Sequence, residues 1–151
     1  MNRLLIILFY PSYLFYKVKY KIYNFRFNGY LIRITGDGVI TVGKDSYISF
    51  YSSLYLTKGT LLKIGSGVSI AHNVKIYTST FDAEVLVKSG EKIERKGSVT
   101  IGDNVLIGTN SFILPGVNIC SNVVIGANSV VSKDLKVPGV YAGNPLRHLN
   151  G

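Results

Sequence analysis

Residues 101–134 read IGDNVLIGTNSFILPGVNICSNVVIGANSVVSKD, and an aliphatic residue returns there at every sixth place. Ile101, Ile107, Ile113, Ile119, Ile125 and Val131 make the series, with glycine directly after at Gly102, Gly108 and Gly126. Four places beyond each aliphatic stands a small or β-branched residue: Val105, Ser111, Val117, Val123 and Ser129. A period of six fits neither a helix turning every ~3.6 residues nor a strand alternating every ~2. It fits short strands joined by tight bends, each bend delivering one aliphatic side chain to a shared interior. One such unit cannot bury its aliphatic alone, so stability comes from stacking. Asp103-Asn104, Ser121-Asn122 and Ala127-Asn128 fall at the bends, where asparagine tolerates left-handed backbone angles.

The same spacing continues upstream through Ile64, Ile70 and Ile76, and again through Val42, Ile48 and Leu54. Three hexads to a turn predict four coils, 42–59, 64–81, 101–118 and 119–136, with Thr60–Lys63 shifting the register between the first two. Asp82–Thr100 breaks the hexad pattern and is expected as a loop inserted between coils, at about 82–100. The expected fold class is all-β, a parallel β-helix built as a hexapeptide-repeat solenoid.

Composition agrees with one folded domain: of 151 residues, 47% are hydrophobic and only 17% charged, which excludes disorder over most of the chain. Cys120 is the only cysteine, so no internal disulfide framework or multi-cysteine metal site exists, and no metal is expected. A lone thiol fits a reducing cytoplasm.

The net charge of +9 is uneven. Arg3, Lys17, Lys19, Lys21, Arg26 and Arg33 precede the first acid, Asp37. The chain thus divides into an apolar and basic N-terminal arm, 1–33, and a repeat domain, 34–151. Nucleic-acid binding has the charge but no recognition element. The arm contains LLIILFY at 4–10 and YLFY at 13–16, far short of the ~20 apolar residues of a spanning helix. No small-residue cleavage site follows, so a cleaved leader is not expected. Two readings of the arm stand side by side. In one, residues 1–26 lie in a bilayer interface, placing the protein peripherally at the inner face of the membrane. In the other, the segment packs on the body or covers its open end.

VIGANSVVSKD and AGNP, within a stretch running from about 36 to 149, resemble the left-handed β-helix hexapeptide acyltransferases, above all the galactoside, maltose and capsular-polysaccharide O-acetyltransferases. Handedness comes from this resemblance alone, because parallel crossovers in general favour the right hand. The resemblance implies a homotrimer with active sites in the grooves between subunits, acetyl-CoA as cosubstrate, a sugar or glycan acceptor, and a histidine as general base. It places Thr109 and Ala127 along the pantetheine arm, Ser132 and Lys133 near the nucleotide end, and Arg147 against a phosphate.

The family's base follows a phrase like YTxTH, but here Tyr77–Asp82 reads YTSTFD, with Phe81 at the histidine's place. Leu106 replaces a tryptophan typical of the coil after the loop. Of the two histidines, His148 lies in the tail and does not match. His72 lies in IAHNV, similar to the motif that carries the base in lipid A acyltransferases. As a base, histidine suits chemistry near neutral pH. Asp82 at the loop entrance would orient a base or meet the sugar. Two function classes follow: an acetyltransferase acting on an oxygen or nitrogen of a sugar or lipid-linked polysaccharide intermediate, or an inactive binding and assembly protein. A β-helical carbonic anhydrase needs three histidines around zinc, and only two exist.

Overall fold

The computed structural model describes residues 3–27 and 31–149. Residues 1, 2, 28–30, 150 and 151, which fall in the expected arm and body, lie outside the described residues. The chain opens with α1 (Arg3–Tyr20), which continues through Pro11. A first coil follows as β1 (Phe25–Phe27), β2 (Arg33–Gly36) and β3 (Val39–Val42), and a second as β4 (Ser46–Ile48), β5 (Ser53–Leu56) and β6 (Leu61–Ile64).

The third coil carries the insertion: β7 (Ser69–Ile70), β8 (Lys75–Tyr77), then the excursion β9 (Ser79–Phe81), α2 (Ala83–Ser89) and β10 (Glu94–Lys96), and finally β11 (Val99–Ile101). β12 (Leu106–Ile107), β13 (Phe112–Ile113) and β14 (Asn118–Ile119) make the fourth coil. β15 (Val123–Ile125), β16 (Val130–Val131) and a bridge at Leu135 make the fifth. β17 (Gly139–Ala142) and the antiparallel β18 (Arg147–Leu149) close the end.

Each coil contributes one rung to each of three parallel sheets, stacked in the order β1-β4-β7-β12-β15-β17-β18, β2-β5-β8-β13-β16 and β3-β6-β11-β14. The result is a left-handed parallel β-helix with a helix at its N-terminal end. The hexad aliphatics fill the interior: Ile48, Ile70, Ile107 and Ile125 line up on the first sheet, and all are completely buried. The predicted coil starts stack on one another, Val42 on Ile64, Ile64 on Ile101 and Ile101 on Ile119.

The insertion falls where the sequence places it, between the Ile76 hexad and the coil that starts at Ile101, and is an ordered unit with its own helix and strand pair. One placement differs from expectation. The four extra residues of the second coil sit at the Thr57–Thr60 corner, because Leu61–Ile64 is wholly a strand. Hydroxyls hold that corner together. Thr57 N–H donates to Thr78 Oγ1 at 2.8 Å, and Thr57 Oγ1 lies 2.6 Å from Ser79 Oγ.

Candidate active site

The corner between the first and second sheets builds the site. Phe50, His72, Thr109 and Ala127 stand one above another there, because each carbonyl but the last accepts the N–H of the next coil's corner residue: Asn73 to Phe50 at 2.8 Å, Asn110 to His72 at 2.9 Å, and Asn128 to Thr109 at 2.9 Å. Asn73, Asn110 and Asn128 make the turn itself, with φ of 54°, 62° and 57°. His72 is exposed and its ring lies 5.1 Å from that of Phe50. Among the described residues, the backbone N–H groups of Thr109 and Ala127 meet no acceptor within the chain. Both residues are exposed, so these donors are available to a ligand.

Arg147 belongs to the far end of this edge. It pairs across from Ala142, which stands over Gly126 beside Ala127. From His72 to Arg147 is four rungs, roughly 19 Å at ~4.8 Å a step. Ser132 and Lys133 are exposed on the next corner, between the second and third sheets, so the expected cofactor contacts divide between two corners. The six residues from Ala127 to Ser132 traverse one side of the prism.

Asp82 lies in the excursion that leaves from that second corner. Its Oδ1 caps α2, accepting from Glu84 N–H at 3.0 Å and Val85 N–H at 3.1 Å. Within one chain the width of the second sheet separates it from His72. Phe81 stands in β9 opposite Glu94 and is 55% exposed, an apolar ring presented at the root of the excursion. His148 stacks on Tyr141 at 4.5 Å, away from the His72 corner. Hydrogen bonding by Ser79 and the ammonium of Lys96 hold the Glu94 carboxyl below its ordinary value of 4.5.

Sequence reading missed a cleft of about 300 Å³ on the outer face of the second sheet, lined by Leu31, Arg33, Tyr51, Ser53, Lys75 and Tyr77. It abuts the His72 corner: Lys75 Nζ donates to Asn73 Oδ1 at 3.2 Å, and Tyr51 follows Phe50. Tyr51 adopts φ of 62° where the coils above use asparagine, a costly angle for a bulky residue and a mark of functional sites. Arg33, Ser53 and Lys75 align in one column, yet they are 20 and 22 residues apart in sequence, so a strict period of 18 hides them. Tyr55, Tyr77 and Phe112 extend the cleft as an aromatic ladder with ring separations of 5.7 and 4.9 Å. Among the described residues no cluster of ligating side chains exists that would hold a metal ion.

Residues 98–133 match the family model described as the hexapeptide repeat of succinyl-transferase. A putative acetyltransferase of Saccharomyces cerevisiae, YJL218W, is 43% identical over 109 residues, which are 70% of this chain and 55% of that protein. The chain therefore spans about half the length of that relative. The crystal structure of a maltose O-acetyltransferase from Clostridium difficile 630 is 34% identical with a TM-score of 0.64, matching 84% of this chain and 70% of its own. A galactoside acetyltransferase solved in complex with coenzyme A is 28% identical with a TM-score of 0.68, over 83% of this chain and 63% of that one.

Proposed function

The chain belongs to the hexapeptide-repeat acetyltransferase family, and on that premise we propose that it moves the acetyl group of acetyl-CoA onto a hydroxyl of a sugar or of a lipid-linked polysaccharide intermediate. One observation carries the proposal. A single edge holds an exposed histidine, two free backbone donors above it, and a permanent cation at its far end. Donors at Thr109 and Ala127 match the amide carbonyls of a pantetheine arm, and Arg147 matches a phosphate. Ser132 and Lys133 would meet the nucleotide end from the neighbouring corner. The relatives solved or named as galactoside and maltose acetyltransferases support the same donor and acceptor classes.

In the proposed reaction the imidazole of His72 takes the proton of the acceptor hydroxyl as its oxygen attacks the thioester carbon. The tetrahedral oxyanion then collapses, expelling the thiolate of CoA, which receives the proton from the imidazolium. No covalent enzyme intermediate forms. The acceptor would lie in the cleft beside His72, its ring against Tyr51 and Tyr77 and an acidic group against Arg33 and Lys75.

The assembly we propose is a homotrimer. Leu106, Val124, Val140 and Leu149 form an apolar stripe up the outer face of the first sheet, between 38% and 50% exposed. Packing copies through it brings the excursion of one subunit, with Asp82, toward the His72 corner of another. A second reading rests on Phe81. An exposed apolar ring at the loop root supplies no base, and a binding or assembly subunit without catalysis would tolerate it.

Calorimetry with acetyl-CoA and thioester loss with glycan acceptors separate the two. The acetyltransferase reading expects binding, acceptor-dependent turnover, and a 10²–10⁴-fold loss of turnover in His72→Ala with acetyl-CoA binding retained. Absence of binding sinks that reading. Full turnover in His72→Ala assigns the base elsewhere.

A further inference from the structure

α1 uses its two faces differently. Phe9, Tyr13, Tyr16 and Tyr20, spaced four, three and four residues apart, lie partly buried over the N-terminal end of the β-helix. Tyr13 and Tyr16 pack their rings on Phe27 at 5.3 and 6.0 Å, and the Tyr20 hydroxyl lies 3.1 Å from the Gly36 carbonyl it donates to. This face covers the open end of the stack. The opposite face carries Ile7, Leu8, Leu14, Phe15 and Val18, which remain 42% to 73% exposed. Tyr10 stands at its margin, 53% exposed, and Tyr23, just beyond the helix, is 73% exposed. A helix apolar on all sides belongs in a core or against a lipid phase. Only one of these faces has a core.

Charge identifies the occupant of the other. Lys17, Lys19 and Lys21 sit at the C-terminal end of α1, Arg26 and Arg33 follow on the first coil, and no acidic residue precedes Asp37. Lys19 stands over the rings of Phe15 and Tyr20 at 6.0 and 5.0 Å, so the cation and the apolar face share one margin. Apolar and aromatic side chains rimmed by lysine match an anionic bilayer interface, where the rings seat at headgroup level and each cation gains from the surface potential. Among the described residues no helix is long and apolar enough to cross a membrane.

We propose that the outward face of α1 lies in the interface of an anionic membrane, standing the β-helix on its N-terminal end. That end also carries the cleft, whose lowest members, Leu31 and Arg33, belong to the first coil or adjoin it. A glycan anchored in the same leaflet would be presented within reach of the cleft. The helix inserts whether or not the edge above it transfers acetyl groups.

Flotation of the full chain with vesicles tests this. With equimolar phosphatidylcholine and phosphatidylglycerol the protein floats; with phosphatidylcholine alone it binds at least tenfold more weakly, and raised salt reduces binding to the mixed vesicles. L8S/F15S/V18S lowers the partition coefficient more than tenfold while melting temperature and acetyl-CoA affinity stay unchanged, since the packing face is untouched. Lys17→Gln with Lys19→Gln and Lys21→Gln removes the preference for anionic lipid. Equal flotation of wild type and the triple serine variant overturns the proposal. So does a lipid-free wild type of twice the mass of that variant with no vesicle binding, because α1 would then cover a second copy of itself.

Discussion

Asn73, Asn110 and Asn128 do two things at once on the His72 corner. Each takes the left-handed angle, and their amides form a ladder, Asn73 Nδ2 to Asn110 Oδ1 at 2.8 Å and Asn110 Nδ2 to Asn128 Oδ1 at 2.7 Å. Asn110→Ala loses the ladder and puts alanine, which lacks asparagine's tolerance of the left-handed region, at an angle costing ~1–2 kcal/mol. We expect ~1–3 kcal/mol of destabilisation in denaturant melts, with Asn110→Gly milder. Gly102 answers a different need. A Cβ there would meet Ser121 N at 2.5 Å and its Oγ at 2.7 Å on the coil above. Gly102→Ala is expected to cost ~1–3 kcal/mol, read as a lowered thermal midpoint. Phe81→His tests the base from the other side. With His72 in that role, thioester turnover changes less than about threefold; a rise beyond tenfold would return the role to the loop root.

The excursion from Ser79 to Ser98 is held by polar contacts at its base. Glu94 lies across from Phe81 on β10, 3.5 Å from Thr57 Oγ1 and with its carboxylate 3.4 Å from Lys96 Nζ. Its depressed pKa means that the folded base favours the carboxylate. The stabilisation is present above the unfolded value of 4.5 and is lost as pH falls through the lower folded value. Hydrogen exchange in α2 should therefore accelerate on acidification below about pH 4.5, and Glu94→Gln should show the faster exchange at neutral pH already. α2 itself was not legible in the sequence. It spans seven residues, buries none of them, and is defined by the Asp82 cap and by Gly90 at φ of 73°. Such caps become visible only once the ends of the excursion are known.

At the scale of the molecule, stability is nearly a sum over neighbouring coils. Ile107 is completely buried between Ile70 and Ile125 on the first sheet. Ile107→Ala should cost ~2–5 kcal/mol, since rigid strands above and below cannot close the cavity. The ends of the stack are protected by different devices, α1 at one and the β17–β18 pair at the other. Self-association through the first sheet is testable apart from catalysis. Light scattering of the wild type should give three chains per particle, and Val124→Asp should give one; a monomeric wild type would remove the argument that places active sites between subunits.

The hexad spacing alone specifies the β-helix, its coil starts and the asparagine bends at Asn104, Asn122 and Asn128, whose φ angles are 55°, 61° and 57°. It could do so because a solenoid translates a constant spacing directly into stacking, so burial is legible as period. The remaining features depend on contacts between segments distant in the chain. α1 shows no amphipathic period, since one apolar face meets the coil end and the other, among the described residues, stays exposed. Insertions of unequal length at Thr57–Thr60 and Ser79–Ser98 decide which corner each later residue occupies. With the excursion inserted, His72 stands in line with Thr109 and Ala127 while Ser132 and Lys133 fall on the next corner, and unequal steps of 20 and 22 residues align Arg33, Ser53 and Lys75 in a cleft that no fixed spacing announces.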